Sequence, residues 1–449
     1  MRPSRLSRLR PTIGIMPSPS SRSSSGIYSG WFVVLASGAT TAIAAATVFY
    51  GMNTFLNDLI SEFGWAAWVT FAGSSVRTEV GGISAPFVGW AIDKFGPRRV
   101  LIVGIGITSL GLLLMSNMTE LWHFFLVMGL ISVGSSTAGN LCGFAAIVTW
   151  FERKRARALT LSTLGGSLGG LLIPIVAIAV GEFGWRSTLQ LLAVLVATGG
   201  LTFGMFVRTR PDKHPQPMDG MTRPDTNVSG ATSPRNWGVP VSMAIRTRSF
   251  VLLMSAFVAN GFAMMSLLTL AFSYFEHEYG LTKGAAGLTI TVLTVSSIFG
   301  RIILGFQGDR YQPAKLLGLC AILLTLGLPL LSVGILFADG SGVWIAFTGL
   351  IISAIGFGGS VPLRSLVIVD FYGTASFGKL MGIERFISTI GGTIGPILIG
   401  VSLDITNHYT WGWFLTAAVG AFAIPLYLSA KRPEALIDEY KAKALVGRG

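Results

Sequence analysis

The sequence predicts an all-α polytopic membrane protein of about twelve transmembrane helices, arranged as two six-helix pseudo-symmetric halves. Three observations carry this reading. Of 449 residues, 51% are hydrophobic and only 12% charged, with a mean hydropathy of +0.66, whereas about 25% of residues are charged in soluble chains. Apolar runs recur along the chain, each offering the about 20 residues needed to cross about 30 Å of hydrocarbon. A charged turn, Gly89-Trp90-Ala91-Ile92-Asp93-Lys94-Phe95-Gly96-Pro97-Arg98-Arg99, returns in weaker form as Gly305-Phe306-Gln307-Gly308-Asp309-Arg310, so the halves read as copies of one ancestor.

Residues 1–27 form a basic tail, expected to be disordered: five arginines stand among serines and prolines, and no acid precedes Asp58. That composition fits a transit peptide, a basic cytosolic tail, or an upstream start with Met16 as the true first residue. The first half, 28–207, holds runs at roughly 30–52, 69–91, 99–116, 121–149, 157–180 and 187–207. Gly96-Pro97 separates the second run from the third, since proline lacks an amide hydrogen and disfavours helix in the residue before it. Asp93 there can cap the turn or pair with the arginines across it. The stretch 208–248, with six prolines, reads as a flexible cytosolic linker. The second half, 249–430, holds runs at roughly 250–274, 284–306, 315–337, 343–369, 380–402 and 411–430, and 431–449 is a cytosolic tail. Glycine patches at Gly165, Gly166, Gly169 and Gly170, and at Gly391, Gly392 and Gly395, mark close helix packing in the fifth and eleventh runs.

Loop charge sets the orientation. Lys94, Arg98, Arg99, Arg153, Lys154, Arg155, Arg157, the linker, Arg310, Lys315 and Lys379 fall on alternate loops, which are therefore cytosolic, with both termini. The other loops carry Asp58, Glu62, Glu120, Glu182, Glu276, Glu278, Asp339 and Asp404 against Arg186 and Lys283 alone. The net charge of +13 thus describes membrane orientation and implies no nucleic-acid partner. Asn117-Met118-Thr119 is a formal glycosylation acceptor lying too near the membrane to count. Cys142 and Cys320, half-buried in separate runs, read as small core residues. The four histidines fall at loops or helix ends, the glycine pairs lack the lysine of a phosphate loop, and no metal or nucleophile spacing converges. The chain is expected to be no enzyme, to need no cofactor and to be a monomer in the bilayer.

Charges inside the spans are the informative residues, because an arginine at a helix centre costs about 2.5–3.5 kcal/mol on insertion scales. Arg77 and Glu79 lie two apart in the second run, about 200° apart on a helix, so they cannot pair with one another. With Asp93 aligned on Asp309, the counterpart of Arg301 is Ala85; with Phe151 aligned on Phe371, that of Arg364 is Phe144. Two cations with apolar counterparts point to a site. Glu384 and Arg385 follow Lys379 closely enough for either to snorkel to the cytosolic surface. Asp370 sits at a helix end, where a solvated or capping role is expected.

The turn 89–99 resembles the signature of the major facilitator superfamily, G-x-x-x-D-[RK]-x-G-[RKP]-[RK], through Gly89, Asp93, Lys94, Gly96, Pro97 and Arg98, and the resemblance extends over roughly 28–430. Tyr28-Ser29-Gly30-Trp31-Phe32-Val33-Val34, Glu62-Phe63-Gly64-Trp65, Gly382, Gly395-Pro396 and Asp404 resemble its oxalate/formate antiporter and monocarboxylate transporter branch. That resemblance implies a small carboxylate, a mono- or dicarboxylate, moved by alternating access in symport with protons or in exchange for another anion. It also implies that Arg301 receives the carboxylate. Ser297 stands where proton-coupled members have an acid, and the first run has no lysine. The expected solute contacts are Arg301, Arg364 and Arg77; the expected coupling or gating groups are Glu79, Glu384, Arg385, Asp93, Lys94, Arg98, Asp309 and Arg310. Two other readings are an efflux carrier for an apolar or cationic compound, with Glu79 the important charge, and a non-transporting receptor that keeps the fold.

Overall fold

The computed structural model describes residues 27–65, 67–138, 140–210, 219, 237–335, 337 and 342–446. The expected tail, apart from Ile27, most of the linker, and Asp339 lie outside the described residues. The first half runs α1 (Ser29–Ala44), α2 (Leu56–Phe63), α3 (Ala67–Phe95), α4 (Pro97–Ser116), α5 (Leu121–Ala138), α6 (Asn140–Trp150), α7 (Arg155–Leu171) and α8 (Ile173–Gly204). After α9 (Val241–Ala244), the second half runs α10 (Arg248–Tyr279), α11 (Lys283–Gly300), α12 (Pro313–Gly334), α13 (Gly342–Tyr372), α14 (Phe377–Thr406) and α15 (Thr410–Ser429), followed by α16 (Glu434–Val446).

Ten stretches among the described residues are long and apolar enough to span a bilayer. One of them, Arg155–Gly204, is two spans: Gly184 sits at φ 76°, ψ 161°, outside the right-handed helical region and open to glycine. The twelfth span is α3, of spanning length but more polar, with Arg77 and Glu79 along it. The fourth is α5 followed by α6. This is the twelve-helix, two-half architecture the sequence predicts. A helix satisfies every backbone group within its own segment in hydrocarbon, and that is how each span crosses.

The glycine patches lie at close helix approaches. A Cβ at Gly165 would run into the Gly38 carbonyl of α1, and one at Gly391 into the Val258 carbonyl of α10. Both cysteines are fully buried rather than half-buried, within the packed apolar core.

On the acidic-loop face, α2 folds back on the start of the sixth span. Glu62 accepts from Trp185 Nε1 at 2.6 Å and pairs with Arg186, whose guanidinium lies 4.3 Å from the Trp185 ring centre. The hydrogen bond from Arg186, then that from Trp185, holds the Glu62 carboxyl below the usual carboxylate range. On the basic-loop face, Asp370 ends α13 in an ion pair with Arg432 at 3.4 Å, so its role is pairing rather than simple solvation. Gly238 bridges to Gly373, and the Lys441 ammonium of α16 lies 5.1 Å from the Trp237 ring centre. The chain entering the second half and the chain leaving it are thereby tied together.

Candidate functional site: a cationic cavity between the halves

Between the halves lies a cavity of about 330 Å³, walled by α1, α3, α5, α6 and α7 on one side and by α10, the turn at Arg301, α13 and α14 on the other. Five charged residues line it, Arg77, Arg301, Arg364, Arg385 and Glu384, and Glu79 is held on the lining Thr393. The structure thus gathers every expected solute contact and two of the three intramembrane coupling candidates, Glu384 and Arg385, into one chamber, and leaves Glu79 beside it on Thr393. It leaves Asp93, Lys94, Arg98, Asp309 and Arg310 out of it, at the basic-loop face.

Arg301 opens a π turn, Arg301–Gly305, that interrupts the eighth span. Such turns release a local hydrogen-bond register and recur at functional sites. Its side chain is 8% exposed, and Nη1 donates to the Thr163 carbonyl of α7 at 2.6 Å. Among the described residues no carboxylate pairs with it, and its buried Nε has no hydrogen-bond partner. The Tyr50 phenol interacts with it electrostatically from the end of α1. Arg301 is a nearly buried cation whose counter-charge is missing.

Arg364 is the opposite case. Nη1 reaches Glu384 at 3.1 Å and Ser388 Oγ at 3.0 Å, Nη2 reaches Asn260 Oδ1 at 3.1 Å, and the Phe257 ring centre lies 5.2 Å away. Glu384, 4% exposed, does not snorkel to the loop face: a cation one helix away supplies its charge balance at mid-depth. Arg385, on the neighbouring helical position, faces the cavity and is exposed there.

Arg77 donates to the Val48 carbonyl at 3.0 Å and lies 5.9 Å from the Phe49 ring centre. Val48 and Phe49 belong to the π turn Ala45–Phe49 that ends the first span, and turns of that kind leave carbonyls free to accept. Arg77 and Glu79 do not pair; the Glu79 carboxylate takes the Thr393 hydroxyl of α14 in the opposite half. The sequence reading missed Asn260, Tyr50, Ser388 and Thr393. Asn260 had a visible signal, an amide in the middle of an apolar span, whereas the others are unremarkable until the helices assemble.

At the basic-loop face the two halves are joined by one device used twice. Asp93, at the end of α3, accepts from the Gly378 and Lys379 amides at 2.8 and 3.0 Å, at the start of α14. Asp309, after the eighth span, accepts from the Ala156 amide at 2.7 Å, at the start of α7, and pairs with Arg157 at 3.4 Å. Each carboxylate caps the positive end of a helix in the other half. Burial pushes the Asp309 carboxyl above the usual range, opposed by the amides of Ala156 and Arg157. Asp93 therefore docks on the far half instead of pairing across its own turn. Lys94 lies over the Trp90 and Phe95 rings, at 4.8 and 5.3 Å, and Arg98 and Arg310 are exposed.

A membrane protein of twelve spans in two halves, with a charged chamber between them, has the construction of a solute carrier. The family model of the Major Facilitator Superfamily matches residues 30–306 and again 253–445, and the chain belongs to this superfamily of transporters. An MFS-type transporter of Gibberella moniliformis is 27% identical over 396 residues, covering 84% of this chain and 88% of that protein. Monocarboxylate transporter 13 of Rattus norvegicus is 25% identical over 442 residues, covering 91% and 93%. Among solved structures, a bacterial homologue of the iron transporter ferroportin in an outward-facing state superposes with a TM-score of 0.69 at 12% identity, covering 90% of this chain and 99% of that one.

Proposed function

We propose that the protein is a secondary active carrier of a small organic anion, a carboxylate, by alternating access, with Arg301 as the primary contact. The observation that carries the reading is the state of Arg301: nearly buried, lining the cavity, and without a carboxylate partner among the described residues. A guanidinium offers parallel donors to two oxygens, and a carboxylate arriving there supplies the missing charge and partners for the free N–H groups. The low-identity likeness to a monocarboxylate transporter supports the same solute class. A cationic solute is disfavoured, since the lining already carries more guanidiniums than carboxylates.

Alternation uses the two aspartate caps as its closure on one face, with Glu79 crossing the interface to Thr393 at mid-depth. The loop charges favour both termini and the 208–248 linker on the cytosolic side of the cell membrane. A cysteine placed at position 220 that reacts with an impermeant reagent outside intact cells overturns that orientation. The solute reading is tested by calorimetry on folded, monodisperse wild-type, Arg301→Lys and Arg301→Ala proteins against mono- and dicarboxylates. Binding lost in Arg301→Ala and weakened in Arg301→Lys is expected; wild-type affinity in both variants overturns it.

A further inference from the structure

We infer that the solute is a short dicarboxylate taken as the dianion, held between Arg301 of the second half and Arg77 of the first; this rests on the carboxylate reading above. The cavity lining carries four guanidiniums, Arg77, Arg301, Arg364 and Arg385, against one carboxylate, Glu384, and a second carboxylate, Glu79, is held on the lining Thr393. Two positive charges are therefore unmatched. A monoanion leaves one of them uncompensated in a chamber that closes around it, where solvation by water is lost; a dianion leaves none.

Geometry selects which two cations serve. Arg364 is already enclosed by Glu384, Ser388, Asn260 and the Phe257 ring, so a solute there would have to displace a protein carboxylate. Arg301 and Arg77 each donate through Nη1 to a backbone carbonyl, and each has a buried Nε with no partner among the described residues. They also meet the same three residues at the end of the first span: Arg77 holds the Val48 carbonyl and lies by Phe49, and Arg301 interacts with Tyr50. One cation comes from each half, so a ligand with a carboxylate at either end pulls both halves onto itself.

The test compares succinate with monomethyl succinate, the same skeleton with one charge removed, and with lactate, by calorimetry at pH 8 and by uptake into proteoliposomes. The wild type should bind succinate at least tenfold more tightly than monomethyl succinate. Arg77→Gln should bring the two affinities to about the same value, with Arg77→Lys between. A merely structural Arg77 weakens both ligands together and leaves their ratio unchanged, which overturns the assignment. Equal wild-type affinity for the two ligands, or preference for the monoanions, overturns the dianion reading without any variant and leaves the carboxylate function standing. Failure of all three ligands and of oxalate to bind the wild type removes the carboxylate reading and this inference with it.

Discussion

The basic-loop face and the central cavity treat the internal repeat in opposite ways. At the face, Asp93 and Asp309 occupy equivalent places and do equivalent work, each capping a helix of the other half with its carboxylate. In the cavity, the equivalent of Arg301 is Ala85, fully buried where Gly382 of α14 packs against it, and that of Arg364 is Phe144, also buried. Symmetry survives where the two halves are joined, at two equivalent carboxylate–amide contacts. It is lost around the cavity, where the charged residues Arg301 and Arg364 stand opposite apolar counterparts.

The comparison breaks most visibly at Glu384. Glu384→Leu leaves Arg364 buried with its carboxylate removed, and losing one member of a buried pair costs about 3–5 kcal/mol. A large fall in the thermal unfolding midpoint in detergent is expected, while the matching first-half change, Phe144→Leu, should cost only about 1–2 kcal/mol. Similar losses from the two would remove the asymmetry.

Next in size is Arg301→Ala. A charge-assisted hydrogen bond is worth about 1.5–3 kcal/mol, so carboxylate affinity should fall about tenfold to a hundredfold or more, with folding retained. Calorimetry alongside size-exclusion chromatography reads both.

The caps sharpen the other side. Asp93→Ala and Asp309→Ala each orphan amides at a helix start, at about 1 kcal/mol, so each should shift the population away from the conformer shut at the basic-loop face by a similar amount. Distance measurements between spin labels on the ends of α3 and α14, and of α7 and α11, check this. Unequal shifts would mean that only one copy carries the closure.

The smallest effect is one of pH. Burial raises the Asp309 carboxyl in the shut conformer, and on release it returns toward the ordinary value of about 3.9. The conformer with the higher pKa binds the proton more readily. The shut state therefore gains from Asp309 as pH falls through that raised value toward the ordinary one, and loses this gain as pH rises again. The same spin-label pair on α7 and α11, followed from pH 7 to 4, should show a modest shift toward closure that Asp309→Asn reduces.

Much of the architecture was legible because membrane physics writes itself locally. A span needs a run of apolar residues of fixed length, so the twelve runs and the break at Gly96-Pro97 could be read directly, as could the repeated turn and the charged residues too costly to bury without reason. The sequence by itself determined the class of fold, the two-half plan, and the short set of intramembrane charges from which a site could be drawn. It could not say which of those charges are spent inside the protein. Arg301 and Arg364 look alike along the chain, each a lone cation with an apolar counterpart. Only the tertiary structure decided that Glu384 turns inward to Arg364, that Glu79 crosses to Thr393, and that Asp93 caps the far half instead of its own turn. The physical reason is that compensation of a buried charge is a contact between helices distant in sequence, and nothing in the spacing of residues along one helix reveals which neighbour will supply it.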